Sequence, residues 1–317
     1  MLAALVAPAL GFRVVLGKVP FDPAPIEQLR AADPEFLFIG DSMLDTRIDR
    51  EVLRRETGRR IAVLAEHGSA SARWWLVLKN HVVAAGIRPK VVFLFFRDRT
   101  LSWPEFRTED QYRDDLEVAA HPEEPEMEFV LGTARRGPRA AIHRALDTIY
   151  PLRLRQGEAL DRIEERALKW TPGFRRARGK VRDAIEDTFD IRRLRSNVGA
   201  ELASDEGPQI SEFDPDPANS FLPHMAALAR EHGFRLHLVR VKRRPNRPDN
   251  IRYDKADLTA YIASLRAWCE AEGVGFTDFT ADPAITLSMY ADGDHVSESA
   301  RPAWTRHFIQ VMGETLR

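Results

Sequence analysis

Three residues near opposite ends of the chain carry the side chains that nucleophilic catalysis at serine requires. Ser42 lies in a Gly-Asp-Ser turn directly after the apolar run 36–39, and Asp292 and His295 lie three residues apart near the C-terminus. A serine hydroxyl becomes a nucleophile when a histidine takes its proton and an acid orients that histidine. These residue types therefore predict acyl transfer through Ser42, with His295 as the base and Asp292 as the orienting acid.

The elements around these residues predict that they meet at one edge of a parallel sheet. Helical patterns alternate with five short apolar runs, at 36–39, 61–65, 90–96, 234–241 and 274–279. This alternation is typical of an α/β, three-layer, flavodoxin-like domain with a central parallel sheet. The loops at the carboxyl ends of its strands line one crevice. The loop after the first strand and the loop after the last strand both belong to that crevice.

The chain between the third and fourth predicted strands departs from this alternation. We divide the protein into an N-terminal segment (1–33), an α/β core (34–96 and 219–317) and a mostly helical, charged insertion (97–218). Within the insertion, residues 134–196 hold 17 Arg or Lys against nine Asp or Glu. Two interpretations stay open: solvated helix faces, or a basic surface for an anionic glycan, an anionic lipid headgroup or a partner protein.

Composition and motifs argue against several classes of protein. Of 317 residues, 47 are Lys or Arg and 48 are Asp or Glu, and the formal net charge of −1 predicts no general attraction to nucleic acid. The sequence has no zinc-ligand spacing, phosphate-binding glycine loop or dinucleotide-binding motif, so we expect no cofactor. Cys269 is the only cysteine, which excludes a disulfide within the chain.

The apolar stretch near the N-terminus bears on location. Residues 2–12 carry no charge but are too few to span a bilayer, and no basic region precedes them as in a signal peptide. Three interpretations remain open: a first helix or strand of the fold, the end of a membrane anchor, or a weak export signal. An anchor remnant favours a periplasmic or membrane-associated location, and an ordinary first element favours a cytoplasmic one.

Two segments resemble the SGNH, or GDSL-type, hydrolase superfamily. FIGDS (38–42) is similar to its first block, which holds the nucleophilic serine, and DGDHVSESA (292–300) is similar to its last block, which holds the Asp and His of the triad. The order Ser, Asp, His is the arrangement of that superfamily and not of the Gly-x-Ser-x-Gly hydrolases. The resemblance implies the SGNH fold for the core and leaves the insertion unmatched.

The resemblance also implies an oxyanion hole, and here this sequence departs from the family. The backbone N–H of Ser42 is one expected donor. The family places a glycine after the second strand, for which Gly68 is the candidate and Ala70 the alternative in another register.

Arg97 stands after the third strand, where the family places an asparagine. It either donates to the oxyanion or to a carboxylate or phosphate of the substrate, or forms an ion pair with Asp98, Asp45 or another acid. Asp41, His67, Ala70 and Asp98 are the candidates for substrate contact. His67 has the alternative role of capping the helix that follows it.

Within the superfamily, a sequence without the asparagine block resembles the O-acetylation proteins of bacterial cell surfaces, which work beside a membrane-bound acyltransferase. We therefore expect an esterase or O-acyl(acetyl)transferase whose substrate is an acylated carbohydrate or another small ester, with a membrane-bound acyltransferase as a candidate partner. The alternative is a weak or inactive relative that serves as a glycan-binding or partner-binding subunit.

Overall fold

The structure is a computed structural model that describes residues 21–98, 100–104, 106–108, 111–121, 124, 125, 127, 216–245, 256–291 and 293–317. These residues belong to one compact unit, Lys18–Arg144 with Asp214–Arg317. The N-terminal stretch and most of the predicted insertion, 128–215, lie outside the described residues. The predictions made for them therefore remain predictions.

Five parallel strands form the centre of the unit. They are β1 (Phe36–Gly40), β2 (Ile61–Ala65), β3 (Val91–Phe96), β4 (Arg235–Arg240) and β5 (Gly275–Asp278). Their order in the sheet is β2-β1-β3-β4-β5, and each pairs in parallel with its neighbours. This order reverses direction between β1 and β3, where doubly wound sheets form their ligand crevice. The flavodoxin-like prediction is confirmed, and each strand lies within one residue or so of its predicted run.

Helices connect and cover the strands. In chain order they are α1 (Ala24–Ala32), α2 (Ser42–Asp45), α3 (Arg50–Thr57), α4 (Ser71–Val77), α5 (Gln111–Glu117), α6 (Leu222–His232), α7 (Ala256–Glu272) and α8 (Arg301–Val311). A π-helical turn, Leu78–Val83, directly continues α4. In the described part of the chain, no helix is long and apolar enough to cross a membrane.

Aromatic packing between the central strands and α8 makes the core rigid behind the site. Every residue of β1 and β3 is buried, as expected for strands covered on both faces. Phe38 stacks on Phe93, with ring centroids 4.8 Å apart, and both rings contact Phe308 of α8. The carboxyl ends of β1 and β3 are therefore held firmly against the helix that follows the His295 segment.

Candidate active site

Ser42 begins the one-turn helix α2 immediately beyond β1. The Asp41 carboxylate caps this turn by accepting a hydrogen bond from the Met43 N–H over 2.8 Å. Gly40 lets the turn lie close to the sheet, since a Cβ there would be 2.9 Å from the Cβ of Leu44 and 3.0 Å from that of Phe95. Local sequence thus places a half-buried serine at the carboxyl edge of the central strand.

His295 lies in a tight loop between β5 and α8. Tyr290 and Val296 form an isolated antiparallel bridge across this loop, and the Ala291 N–H donates to the His295 carbonyl over 3.0 Å. The loop brings His295 Nε2 to 3.0 Å from Ser42 Oγ. This separation is within the hydrogen-bond reach that a general base and its nucleophile need.

The orienting acid predicted for His295 is Asp292, which lies outside the described residues. Its role as the third member of a triad stays a prediction. The neighbouring acid, Asp294, is described, and its carboxylate contacts arginines, as set out below.

The loop after β2 lies beside the turn that holds Ser42. The Glu66 N–H and the Ser69 hydroxyl both donate to the Gly40 carbonyl, over 3.1 and 3.2 Å. His67 Nε2 lies 3.1 Å from Asp45 Oδ2 of α2, and most of the His67 side chain is exposed. The structure therefore brings this loop against both the end of β1 and the helix that begins with Ser42.

Gly68 occupies the middle of that loop in a left-handed conformation, with φ +81°. A Cβ at this position would be 2.9 Å from Cε1 of Tyr112, so both the backbone conformation and the close contact favour glycine. Ala70 lies at the N-terminal cap of α4 with its side chain buried. The oxyanion roles predicted for Gly68 and Ala70 remain predictions.

Arg97 and Asp98, directly after β3, belong to a compact cluster of charges. Arg97 Nη1 lies 2.6 Å from Asp294 Oδ2, so the structure pairs Arg97 with the residue before His295. Asp98 lies 3.4 Å from Arg243 Nε, and burial raises the pKa of Asp98 despite the neighbouring arginines. The substrate contacts predicted for Arg97 and Asp98 remain predictions.

Asp294 is the centre of this cluster and was not identified from the sequence. Its carboxylate also accepts hydrogen bonds from Arg243 Nε over 2.9 Å and from the Arg244 backbone N–H over 2.9 Å. Burial alone would raise the pKa of Asp294, but Arg243 and Arg97 hold it below its ordinary value. The one available signal was its position next to His295, between two residues already singled out.

Arg107 is a second residue near Ser42 that sequence reasoning missed. Its guanidinium lies 4.0 Å from Asp41 Oδ2 and packs over the rings of Phe106 and Tyr112. Arg107 has a left-handed backbone with φ 58°, which is uncommon for a residue with a side chain. Nothing in the local sequence marks this position, because the contact depends on how Arg107 packs against Asp41 and Tyr112 in the folded chain.

The described residues contain no cluster of three or more His, Cys, Asp or Glu that could hold a metal ion.

Several solved structures are similar to this chain at low sequence identity. A provisionally assigned acylhydrolase from Bacteroides fragilis is 11% identical, with 92% of this chain and 95% of that chain covered and a TM-score of 0.41. A GDSL-like lipase from Bacteroides thetaiotaomicron is 10% identical, with 93% and 100% covered and a TM-score of 0.40. No protein-family model matches the chain, and no curated protein matches it.

Proposed function

We propose that this chain, which resembles the SGNH superfamily, is a serine esterase or O-acyltransferase that works through an acyl-Ser42 intermediate. The single observation that carries the proposal is the 3.0 Å contact between His295 Nε2 and Ser42 Oγ at the carboxyl edge of a parallel sheet. Ser42 and His295 are far apart in sequence, but they meet there because β1 ends, and the β5–α8 loop begins, at the same edge of the sheet.

In the acylation step, Ser42 Oγ bonds to the carbonyl carbon of the substrate ester while His295 Nε2 takes the serine proton. The tetrahedral intermediate collapses, the bond from the acyl carbon to the ester oxygen breaks, and the alcohol leaves with the proton from His295. In the second step His295 takes a proton from water or from a sugar hydroxyl, which attacks the acyl-serine. The bond from the acyl carbon to Ser42 Oγ then breaks as Oγ takes the proton from His295, which releases the acid or the acylated sugar and restores the free serine.

Backbone donors are the proposed stabilisers of the oxyanion in both steps. The N–H groups of Ser42 and Gly68 suit this role, since the loop that holds Gly68 is hydrogen-bonded to Gly40, two residues before Ser42. Donors of this kind are worth about 2.7–4 kcal/mol each in the transition state. In this scheme Arg97 acts through Asp294, and Asp292 orients His295.

The substrate class is proposed from the sequence resemblance. An acylated carbohydrate or related surface polymer is the proposed substrate, and a membrane-bound acyltransferase is the proposed partner if acyl groups pass to a sugar hydroxyl. The Ser42–His295 pair serves ester hydrolysis and acyl transfer equally, because both proceed through the same acyl-serine.

The test is covalent labelling of the folded protein with a fluorophosphonate, read by mass spectrometry. We expect one adduct at Ser42 that is lost in Ser42→Ala and strongly slowed in His295→Ala. Ser299→Ala, at an exposed serine in the C-terminal part of the chain, is the control and should label as the wild type does. Absence of an adduct at Ser42 under prolonged treatment would leave the inactive binding subunit as the better assignment.

A second assay separates hydrolysis from transfer. After a pulse of p-nitrophenyl acetate, an oligosaccharide acceptor is added and the acetate released is compared with the acetylated sugar formed. Acetylated product above the background without enzyme supports the transferase, and acetate alone supports the esterase.

A further inference from the structure

Arg47 is a fully buried arginine close to the two residues of the proposed active site. Burying a cation is costly unless its donors are satisfied, and burial lowers the pKa of Arg47. The sequence offers no sign of this burial, because Arg47 opens the polar run 47–58, which has the pattern of a solvated amphipathic helix. The burial of Arg47 therefore has to be explained by the groups that its guanidinium contacts.

The guanidinium of Arg47 donates to three backbone carbonyls from three separate segments. Nη1 donates to Met43 over 3.1 Å, and Nη2 donates to Lys242 over 2.8 Å and to Asp294 over 2.9 Å. Met43 directly follows Ser42, and Asp294 directly precedes His295. One side chain thus joins the nucleophile turn to the loop of the base.

Tyr290 provides a second contact between Arg47 and the loop that holds His295. Its hydroxyl donates to the Lys242 carbonyl over 2.8 Å, the same oxygen that Arg47 contacts. The Arg47 guanidinium carbon lies 5.8 Å from the centre of the Tyr290 ring. Since Tyr290 pairs with Val296 across the His295 loop, Arg47 contacts this loop at both its base and its middle.

Within the described residues, no carboxylate forms an ion pair with Arg47, and its hydrogen bonds go mainly to backbone oxygens. A buried ionic group is often no more stabilising than an apolar side chain of similar volume. Stability alone therefore does not explain an arginine here. The forked guanidinium, which can reach several oxygens at fixed angles, explains it better.

We infer that Arg47 is a positioning residue that holds the His295 loop in register with the Ser42 turn. It does not touch the reacting atoms. Its catalytic consequence rests on the proposed function, whereas its hold on the loop does not. A displacement of about 1 Å between catalytic groups can cost on the order of 100-fold in rate.

The test compares Arg47→Met, which keeps an unbranched apolar stem but lacks the guanidinium, with Arg47→Lys and with Leu53→Ala. Leu53 is fully buried in α3, so its truncation lowers stability without touching the three carbonyls. All variants are measured where circular dichroism shows them fully folded. The readouts are kcat and KM for p-nitrophenyl acetate, the fluorophosphonate labelling rate at Ser42, and amide hydrogen exchange by peptide.

We expect Arg47→Met to lower kcat and the labelling rate at least tenfold with KM changed less than threefold. Amide exchange should rise about tenfold in peptides covering 287–300, while peptides from β1 and β3 keep their protection. Arg47→Lys should recover part of the labelling rate, and Leu53→Ala should change kcat less than twofold. The inference would be overturned if folded Arg47→Met were labelled at Ser42 at the wild-type rate. It would also be overturned if amide exchange at 287–300 in this variant were the same as in the wild type.

The two hypotheses fail in different ways. If wild-type protein is never labelled at Ser42 but exchange at 287–300 still rises in Arg47→Met, the proposed function is wrong and the positioning role stands. If Arg47→Met does not fold, Arg47→Lys and Tyr290→Phe carry the same test. Tyr290→Phe removes the hydroxyl, and with it the hydrogen bond to the Lys242 carbonyl, and should raise exchange in the same peptides by a smaller factor.

Discussion

Arg97 and Asp294 form a 2.6 Å ion pair that ties the end of β3 to the residue before His295. The Asp294 side chain is almost fully buried, and Arg97 is partly exposed. The pair therefore joins the residue directly after β3, for which the sequence resemblance implied an oxyanion donor, to the loop that carries the proposed base. Substituting Arg97 and Asp294 singly and together therefore tests whether Arg97 acts on the oxyanion directly or through Asp294.

A double-mutant cycle with Arg97→Ala and Asp294→Asn distinguishes the two roles of Arg97. We expect Asp294→Asn to lower the free energy of unfolding by about 3 kcal/mol, because it removes a buried negative charge that Arg97 and Arg243 share. We expect the effects of the two substitutions on kcat to be less than additive, since both act through the same pair. Urea unfolding and steady-state kinetics give the two quantities.

Strictly additive losses in kcat would instead indicate that Arg97 acts on the oxyanion independently of Asp294. Arg230→Ala is the control, because Arg230 forms a short but exposed ion pair with Glu272. Removing such a pair changes stability by less than about 1 kcal/mol.

The left-handed conformation of Gly68 leads to a second prediction. Gly68→Ala should lower stability by more than Gly58→Ala, which shares a positive φ but has open space where the new methyl group would lie. The positive φ costs alanine about 1 kcal/mol of stability in either variant. The close contact of the new methyl group with Tyr112 adds to this cost only in Gly68→Ala. We also expect kcat to fall about 100-fold in Gly68→Ala if its N–H is displaced from the oxyanion.

Gly58→Ala should keep the wild-type kcat, because α3 ends there away from the Ser42 turn. A wild-type kcat in Gly68→Ala would argue that another donor, such as the Ala70 N–H, serves the oxyanion.

Gly40 gives a third prediction, concerning the approach of the nucleophile turn to the sheet. A methyl group at Gly40 would lie 2.9 Å from Leu44 Cβ and 3.1 Å from the Phe95 carbonyl oxygen. Gly40→Ala should therefore cost about 1–3 kcal/mol of stability, as overpacking does, and slow labelling of Ser42 by shifting α2. Gly313→Ala, where the new contacts would be ordinary ones at 3.6 Å, should do neither.

His237 on β4 gives a prediction about pH and stability. Burial lowers the pKa of His237 to about 4 in the folded protein, from an ordinary value of 6.5. Below pH 6.5 the unfolded chain binds a proton there that the folded protein does not, so stability is full above pH 6.5 and falls as the pH drops to about 4. His237 alone should then lower the free energy of unfolding by about 3 kcal/mol.

Urea unfolding of His237→Gln from pH 7.5 to pH 4 checks this sign. Glutamine does not titrate, so the variant should lose less stability over that range than the wild type, whatever its stability at pH 7.5. The free energy of unfolding of the variant should still fall somewhat as the pH drops, because burial also lowers the pKa of His81 to about 4. Equal slopes in the variant and the wild type would contradict the prediction.

The sequence was sufficient to predict the strands and the pairing of Ser42 with His295. Apolar runs, glycine stops and their alternation are local signals, and the parallel α/β topology then requires that the ends of β1 and β5 lie at one edge. For the same reason Gly68 and Arg97 could be assigned to the loops at that edge. The role of Asp292 rests on sequence alone.

Only the tertiary structure decided what holds the two halves of the site together. Arg47 and Asp294 were missed because their partners are far away in the chain, and a charged residue in a polar run is ordinarily solvated. Likewise, Arg243 lies in a run of three basic residues, 242–244, yet its side chain contacts Asp294. Such contacts arise when several loops converge and bury shared polar groups, and no periodicity or spacing in the sequence records that convergence.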